Sequence, residues 1–267
     1  MRVFYYTFIM EKEIRWLLRE KYFGKPSKKF DADVKRLKAG QPLDYVIGFT
    51  QFLGCKIDLS KKPLIPRQET EFWVDEAIKE ISPKVDGRPF SGIKVLDIFA
   101  GSGCIGLAVL KNVKNSEVVF AEKDKKLVEQ IKLNVKINKH LFSNSQEFKN
   151  RCKVVASDIF SGVRGKFDYI FANPPYIPKT KKPKIQKSVL DYEPHGALFG
   201  GEDGLFFIKK FLKQAPEFLK ENGKIYLEFD SFQKKQIEIL LKKYTYKNWE
   251  FKKDQYKFLI AAEKFQM

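Results

Sequence analysis

From residue 93 onward, short apolar runs alternate with helical stretches, and this alternation constrains the fold more than any other feature of the chain. The apolar runs are IKVLDIF, SEVVFAE, KVVASD, FDYIFA and GKIYLEF, and helix-forming segments such as CIGLAVLKN lie between most of them. Alternating strands and helices predict a parallel, doubly wound α/β sheet. Near the C-terminus, NWEFKKD and KFLIAAEK predict a β-hairpin that closes this sheet with an antiparallel edge strand.

The region before residue 71 has a different organisation. Residues 11–22 carry apolar side chains at helical spacing, and Gly24-Lys25-Pro26-Ser27 ends that pattern. Two apolar runs, around Tyr45–Phe52 and Cys55–Leu59, are separated by Gly54 and predict a β-hairpin. We therefore expect a small helical N-terminal domain at residues 1–50, a β-hairpin linker at 51–70 and an α/β domain at 71–267.

The net charge of the chain indicates which kinds of partner it could bind. The net charge is +18, from 51 basic and 33 acidic residues, but only eight of the basic residues are arginine. Arginine is the usual reader of base edges and phosphate groups, and the lysines are spread over the whole chain. A solvated, lysine-rich surface explains this composition. The alternative is a weak attraction to RNA, to the ribosome or to a partner bound to RNA.

The cysteines and the apolar stretches indicate the cellular environment in which the chain works. The three cysteines have no CxxC spacing and no histidine partner, so the sequence predicts neither a disulfide framework nor a metal site. No stretch approaches the ~18 apolar residues that are needed to span a bilayer. We therefore expect a cytoplasmic protein that does not act at a membrane, and separately we expect it to be a monomer.

The first strand-to-helix turn carries the first functional signal. It reads Phe99-Ala100-Gly101-Ser102-Gly103, and Glu122 ends the next strand 19 residues after Gly103. Glycines at this turn let the backbone approach a ligand, and an acid about 20 residues further on suits a ribose diol. The pair predicts a nucleoside cofactor, whereas a tight turn without a ligand is the alternative. The loop lacks the first glycine of GxGxxG, so S-adenosylmethionine, which has no phosphate, fits better than a dinucleotide.

Two further acids lie at strand ends, and each has two interpretations. Asp97, in the strand that leads into the loop, either holds the N–H groups of the loop or pairs with the ammonium group of the cofactor. Asp158, which ends the third strand, either caps a helix or turn or accepts a hydrogen bond from an adenine amino group. In the second case Ile159 would cover the adenine ring.

The segment Asn173-Pro174-Pro175-Tyr176 ends the fourth strand. Sites in open α/β sheets lie at the C-terminal strand edges near the switch in strand order, which the first and fourth strands would flank. The nitrogen of a planar NH2 group is a poor nucleophile because its lone pair is delocalised. The Asn173 side-chain oxygen and the Pro174 carbonyl can hold both N–H bonds, which orients the nitrogen toward a methyl donor. Tyr176 offers a flat face to the substrate, and Pro175 helps to keep the carbonyls in place.

This motif predicts the reaction but not the substrate. Adenine, cytosine, guanine and glutamine all present an NH2 group on a planar system. A plain strand terminator is the bland interpretation of two consecutive prolines.

The chain resembles the HemK/PrmC family, the N5-glutamine methyltransferases of peptide chain release factors, over roughly residues 42–230. The resemblance is carried by PLDYVIGFTQFLG, LIPRQETEFWVDEAI, VLDIFAGSG, ANPPYIP, YEPHGALFGGEDGL and IYLEF, in this order. It implies a Rossmann-like class I methyltransferase sheet of seven strands, the last one antiparallel. It also implies a small N-terminal helical domain and a hairpin linker, and class I release factors as partners.

The resemblance assigns roles to positions in this chain. It implies cofactor contacts, with S-adenosylmethionine converted to S-adenosylhomocysteine, for residues 99–103, Glu122, Ile159 and Asn173, and substrate contacts for residues 173–176. Phe99 stands where the family usually has glycine, and Gln68 stands where it usually has proline.

Two alternatives belong to other classes. The spelling LDIFAGSG is closer to some guanine-N2 rRNA methyltransferases, so an amino-group methyltransferase of rRNA or DNA, acting on guanine N2 or adenine N6, is the runner-up. A cofactor-binding interaction module without catalysis is the third, but it would not need an intact Asn-Pro-Pro-Tyr.

Overall fold

The computed structural model of the chain describes residues 2–81, 92–141, 150–253 and 258–263. Its N-terminal part consists of α1 (Arg2–Tyr22), α2 (Lys28–Lys38) and α3 (Leu43–Ile47), followed by the hairpin strands β1 (Phe49–Phe52) and β2 (Cys55–Asp58). Leu17, Leu37, Val46 and Ile47 form a small buried cluster between the three helices. The apolar run that begins at Tyr45 is therefore not one strand, since its first residues complete α3 and the strand begins at Phe49.

Helices and strands alternate from residue 68 onward. The elements are α4 (Gln68–Ile81), β3 (Ile93–Ile98), α5 (Cys104–Asn112), β4 (Ser116–Glu122), α6 (Lys125–Asn138), β5 (Cys152–Ala156), β6 (Phe167–Ala172), α7 (Lys187–Tyr192), α8 (His195–Leu198), α9 (Phe206–Gln214), β7 (Leu219–Phe229), α10 (Lys234–Lys243), β8 (Lys247–Lys253) and β9 (Phe258–Glu263). Short 3₁₀ turns lie at residues 139–141, 179–184, 215–218 and 231–233.

The central sheet has seven strands in the order β5-β4-β3-β6-β7-β9-β8. Neighbours from β5 to β7 are parallel, and β9 is antiparallel to both β7 and β8. The predicted doubly wound sheet with an antiparallel last strand is confirmed. The strand order switches between β3 and β6, where Ile98 pairs with Ala172. Phe99 and Asn173, the residues that follow, therefore emerge side by side at the C-terminal edge.

The hairpin β1–β2 lies against α6 of the α/β domain. Its turn residues Leu53 and Gly54 both have positive φ, which suits a two-residue hairpin loop. Backbone N–H groups of Lys56, Asp58 and Lys61 donate to the side-chain oxygens of Asn138 (2.9 Å), Asn134 (2.8 Å) and Gln130 (2.8 Å). These three acceptors are four residues apart, so they share one face of α6.

Two apolar clusters cover the two faces of the sheet. One includes side chains of α4 and α5 and of the hairpin, and the other includes side chains of α9 and α10. The rigid layers leave the C-terminal strand edge open for a site. Within the part of the chain that is described, no helix is long and apolar enough to cross a membrane.

Candidate active site

A cavity of about 680 Å³ lies at the C-terminal edge of the sheet, within the size range of small-molecule sites. The residues singled out from the sequence that line it are Phe99, Ala100, Gly101, Glu122, Asp158, Ile159, Asn173 and Pro175. The other predicted site residues, Asp97, Ser102, Gly103, Pro174 and Tyr176, are not among its lining residues. The switch point thus brings together parts of three motifs that are up to 76 residues apart, from Phe99 to Pro175.

The loop between β3 and α5 turns its backbone toward this cavity. Phe99, Gly101 and Gly103 have φ values of 59°, 55° and 78°, in the left-handed region. That region costs a residue with a side chain about 1–2 kcal/mol. The Phe99 ring packs edge-on against Phe207 and Phe211, with ring centroids 6.0 and 6.2 Å apart. Phe99 therefore adopts a glycine-like backbone, and its ring is held on the α9 side of the loop.

Glu122 joins the loop to the end of β4. One carboxylate oxygen accepts from Gly101 N at 2.8 Å, and the other accepts from Asp124 N at 2.9 Å. Burial raises the pKa of Glu122, and these backbone donors oppose that rise. Each carboxylate oxygen has a second lone pair, so Glu122 can hold the loop and still accept from ligand hydroxyls in the cavity.

Asp97 lies behind the loop and is 1% exposed. Its Oδ2 accepts from Gly106 N at 2.9 Å, in the first turn of α5, and not from the loop itself. Among the described residues its Oδ1 has no hydrogen-bond partner. Burial raises the pKa of Asp97 to about 8, the Gly106 N–H opposes the rise and the charge of Glu122 adds to it. Asp97 does not line the cavity, but a buried acid oxygen without a partner is suited to a cationic ligand group that reaches behind the loop.

Asp158 lies at the rim of the cavity. Its Oδ2 is 2.8 Å from the Lys123 Nζ, and both side chains are more than half exposed. The backbone N–H of Asp158 donates to Ser161 Oγ at 3.0 Å. Ile159 is 6% exposed and also lines the cavity, so an apolar wall lies beside an accessible carboxylate.

The Asn173 amide is fixed from the protein side. Its Nδ2 donates to Glu228 Oε2 at 2.9 Å and approaches Thr70 Oγ1 at 3.3 Å. Both N–H bonds of the amide are thus directed at protein acceptors. Asn173 also lines the cavity. Oδ1 is the atom that remains for a ligand donor.

Tyr176 turns its hydroxyl inward. The hydroxyl donates to Glu228 Oε1 at 3.0 Å, and the Tyr176 carbonyl accepts from Gln233 Nε2 at 3.0 Å. Burial, followed by the negative charge of Glu228, raises the pKa of Tyr176 well above its ordinary value. Tyr176 is therefore a neutral phenol and not a proton acceptor.

The sequence interpretation assigned no role to Glu228, which is 4% exposed and sits near the end of β7. Besides Asn173 and Tyr176, it accepts from Thr70 Oγ1 at 2.6 Å and Trp73 Nε1 at 2.8 Å. The signal for it was present, because an acid inside the otherwise apolar IYLEF is costly unless it has partners.

A second buried acid closes another wall of the cavity. Glu193 accepts from Arg67 Nη2 at 2.5 Å and from Ile65 N at 3.2 Å, and its side chain is 1% exposed. Residues 64–67 and Pro194, Gly196 and Ala197 all line the cavity. The pair therefore joins two segments that are 126 residues apart in sequence. No described group of three or more His, Cys, Asp or Glu side chains could hold a metal ion.

The sequence has close curated relatives. The family model for the methyltransferase small domain matches residues 74–192. A release factor glutamine methyltransferase from Flavobacterium psychrophilum is 36% identical over 222 residues, which are 83% of this chain and 74% of that protein. One from Streptococcus pneumoniae is 33% identical over 228 residues, or 85% of this chain and 76% of that protein.

Solved structures show the same fold at lower identity. A 16S rRNA N2 G1207 methyltransferase from T. thermophilus, in complex with AdoMet and guanosine, matches with a TM-score of 0.54 and 20% identity. The match covers 81% of this chain and 49% of that one. At this identity the likeness concerns the fold alone.

Proposed function

The chain belongs to the release factor glutamine methyltransferases, and we propose that it methylates the side-chain amide nitrogen (N5) of the glutamine in the Gly-Gly-Gln motif of class I peptide chain release factors. The methyl donor is S-adenosylmethionine and the product is S-adenosylhomocysteine. The proposal rests on the two relatives described above, which are 36% and 33% identical over most of both chains. The observation in the structure that carries it is the Asn173 amide, held with Oδ1 available at the cavity.

The residues around the cavity fit this cofactor. Glu122 would accept from the ribose hydroxyls, and the orphaned Oδ1 of Asp97 would receive the ammonium group of the methionine part. Ile159 would cover the adenine ring, and Asp158 at the rim would accept from its amino group. The loop from Phe99 to Gly103 would border the sulfonium side.

The protein side of the reaction is mainly positioning. The Asn173 Oδ1 and the Pro174 carbonyl would each accept one N–H of the substrate amide, which turns the nitrogen lone pair toward the methyl donor. S-adenosylmethionine, when bound, would supply an electrophilic methyl group on its sulfonium sulfur, and the amide nitrogen held by Asn173 and Pro174 would accept that methyl group and give up one proton to water. Orientation of this kind is worth roughly 7–11 kcal/mol in favourable cases.

No protein base is needed beside the reacting nitrogen. The proton becomes acidic once the nitrogen carries positive charge, and the two oxygens that hold the N–H bonds stabilise that charge. Tyr176, a neutral phenol bound to Glu228, would contribute its ring and the rigidity of the Pro-Pro-Tyr segment.

Substrate specificity would come from contacts away from the reacting amide, because a Gly-Gly-Gln loop offers little side chain to recognise. We place these contacts on the N-terminal helical domain, residues 1–50, with the hairpin linker at 51–70 connecting it to the catalytic domain at 71–267. We also expect a cytoplasmic monomer, with at most a weak attraction of its lysine-rich surface to RNA or the ribosome.

A labelling experiment tests the proposal. The purified chain is incubated with methyl-labelled S-adenosylmethionine and either a class I release factor, the same factor with Gly-Gly-Gln changed to Gly-Gly-Ala, or rRNA. Label in the first factor but not in the second supports the proposal. Label in the rRNA alone would favour the amino-group alternative, which shares Asn-Pro-Pro-Tyr.

A further inference from the structure

Glu228 is a buried carboxylate, and the burial of its charge is energetically unfavourable. It follows Leu227 in β7, where Leu227 pairs with Ala172 of the parallel strand β6. The residue after Ala172 is Asn173, so the pairing of the strands brings Asn173 beside Glu228. Burying a charge at this depth is strongly unfavourable unless polar groups surround it.

Neutral donors surround it. Three groups, from Thr70, Trp73 and Asn173, donate to Oε2, and the Tyr176 hydroxyl donates to Oε1. No described lysine or arginine forms an ion pair with Glu228. Among the described residues the carboxylate is therefore held by hydrogen bonds from neutral groups, and two of these four donors belong to Asn-Pro-Pro-Tyr.

An ionised carboxylate accepts hydrogen bonds and donates none. The amide of Asn173 can consequently face Glu228 only with Nδ2, which leaves Oδ1 on the opposite side. An amide that turned over would direct its own N–H groups toward the cavity and would repel the NH2 group of a substrate. We propose that Glu228 is a positioning residue, which fixes the Asn173 amide so that Oδ1 accepts from the substrate; this rests on the function proposed above.

A purely structural role is the competing explanation, since Glu228 also ties α4 to the sheet through Thr70 and Trp73. Trp73→Phe is the matched control. It removes one donor to the same Oε2 atom, and it keeps an aromatic ring stacked near Phe171 (centroids 5.9 Å apart). It leaves the bond from Asn173 in place.

The first test is a double-mutant cycle in single turnover. Glu228→Gln has the same shape but cannot accept from all four donors, and we expect the chemical rate to fall on the order of 10-fold or more, as for other positioned polar groups. The dissociation constant of S-adenosylmethionine should change by less than about threefold, and Trp73→Phe should retain most of the rate. Because Glu228 acts through Asn173, Glu228→Gln should cost little in an Asn173→Ala background. An equal loss in both backgrounds, or an equal loss in Trp73→Phe, overturns the proposal.

A second test survives even if Glu228→Gln alone is poorly folded. Asn173→Asp places two carboxylates against each other and should nearly abolish the rate. In Asn173→Asp with Glu228→Gln, the new amide at position 228 can donate to the new carboxylate at position 173, which again presents an acceptor to the substrate. We expect the double variant to be at least about 10-fold faster than Asn173→Asp, as a swapped donor–acceptor pair requires. A double variant as slow as Asn173→Asp contradicts the proposal.

These outcomes are separable from a failure of the proposed function. If the wild-type chain labels rRNA and not a release factor, the function is wrong, but the same variants can be compared on the nucleic acid. If the wild-type chain labels the release factor and the cycle is additive, the function stands and the role of Glu228 is wrong.

Discussion

Replacing Arg67 by methionine should loosen the wall of the cavity and destabilise the fold. Methionine preserves much of the aliphatic stem of Arg67 but leaves Glu193, whose side chain is 1% exposed, with one backbone donor, Ile65 N. Breaking a fully buried pair costs about 3–5 kcal/mol. Because the Arg67 side chain is 35% exposed, water compensates in part, and we take about 2 kcal/mol for the loss.

The assay is thermal unfolding with a matched surface control. A loss of about 2 kcal/mol corresponds to a fall in Tm of roughly 4–8 °C for a protein of this size. Lys79→Met removes exposed ion pairs from α4, and because solvent screens such pairs, its Tm should fall far less. The KM for S-adenosylmethionine or for the release factor should rise in Arg67→Met, because residues 64–67 line the cavity.

A rescue variant tests the physical reason. In Arg67→Met with Glu193→Gln, the buried charge is gone, and the new amide oxygen can still accept from Ile65 N. The double variant should recover at least half of the Tm loss of Arg67→Met. A Tm of Arg67→Met within about 1 °C of wild type would refute the reasoning. So would a double variant that is less stable than Arg67→Met, because that is the result expected if the two substitutions destabilise the fold independently.

Three further predictions concern other parts of the site. Asn173→Ala should lower the single-turnover rate on the order of 10²-fold with a small change in cofactor affinity; an unchanged rate excludes Asn173 from the mechanism. Binding of S-adenosylmethionine near pH 7 should release a proton, because burial raises the pKa of Asp97 to about 8 and the ammonium group of the cofactor would lower it again. Calorimetry in buffers of different ionisation enthalpy should detect this release, and Asp97→Asn should abolish it. Deletion of residues 1–40 should reduce methylation of a whole release factor far more than it reduces cofactor binding. The deletion exposes Val46 and Ile47, so both are changed to polar residues in the truncated chain. Full efficiency of this chain on the release factor would contradict docking by α1 and α2.

The raised pKa of Asp97 also determines whether the protein gains or loses stability as the pH rises. The pKa of Asp97 is raised in the folded state above its ordinary value, so the folded chain binds an additional proton between about pH 4 and pH 8. The contribution of Asp97 to stability is therefore greatest at low pH and is lost as the pH rises toward 8. Asp97→Asn should remove this dependence, which urea unfolding at several pH values would measure.

The sequence predicted the order of strands and helices because that signal is local. Each apolar run has the length of a strand, and each intervening stretch has the period of a helix. It did not predict how the hairpin docks. Gln130, Asn134 and Asn138 are polar and four residues apart, so their spacing is typical of a solvated helix face, yet all three are at most 1% exposed. Periodicity shows that a face is polar, but not that the backbone of another element covers it.

The candidate site likewise contains residues that local sequence predicts and residues that only tertiary contacts reveal. The glycine loop, Glu122 and Asn-Pro-Pro-Tyr each lie at a strand end, where their chemistry follows from neighbours in sequence. Thr70, Arg67, Glu193 and Glu228 depend on contacts between residues 126 to 158 positions apart, and composition or spacing carries no information on such contacts. The motifs of the resemblance contain all four residues, but a motif does not state which of its members touch.

A shorter-range contact of Glu228, its bond with Asn173, which lies 55 residues earlier in the chain, follows from the sequence together with the topology of a doubly wound sheet. In such a sheet, the strand that ends in Asn-Pro-Pro-Tyr has the next strand of the series as its parallel neighbour on the outer side. Residues near the C-terminal ends of neighbouring parallel strands lie side by side. GKIYLEF ends that next strand, and its single acid stands one residue before the end of β7. A buried acid beside the amide of Asn173 has an obvious donor, so strand order and the cost of a buried charge together predict the bond between Glu228 and Asn173.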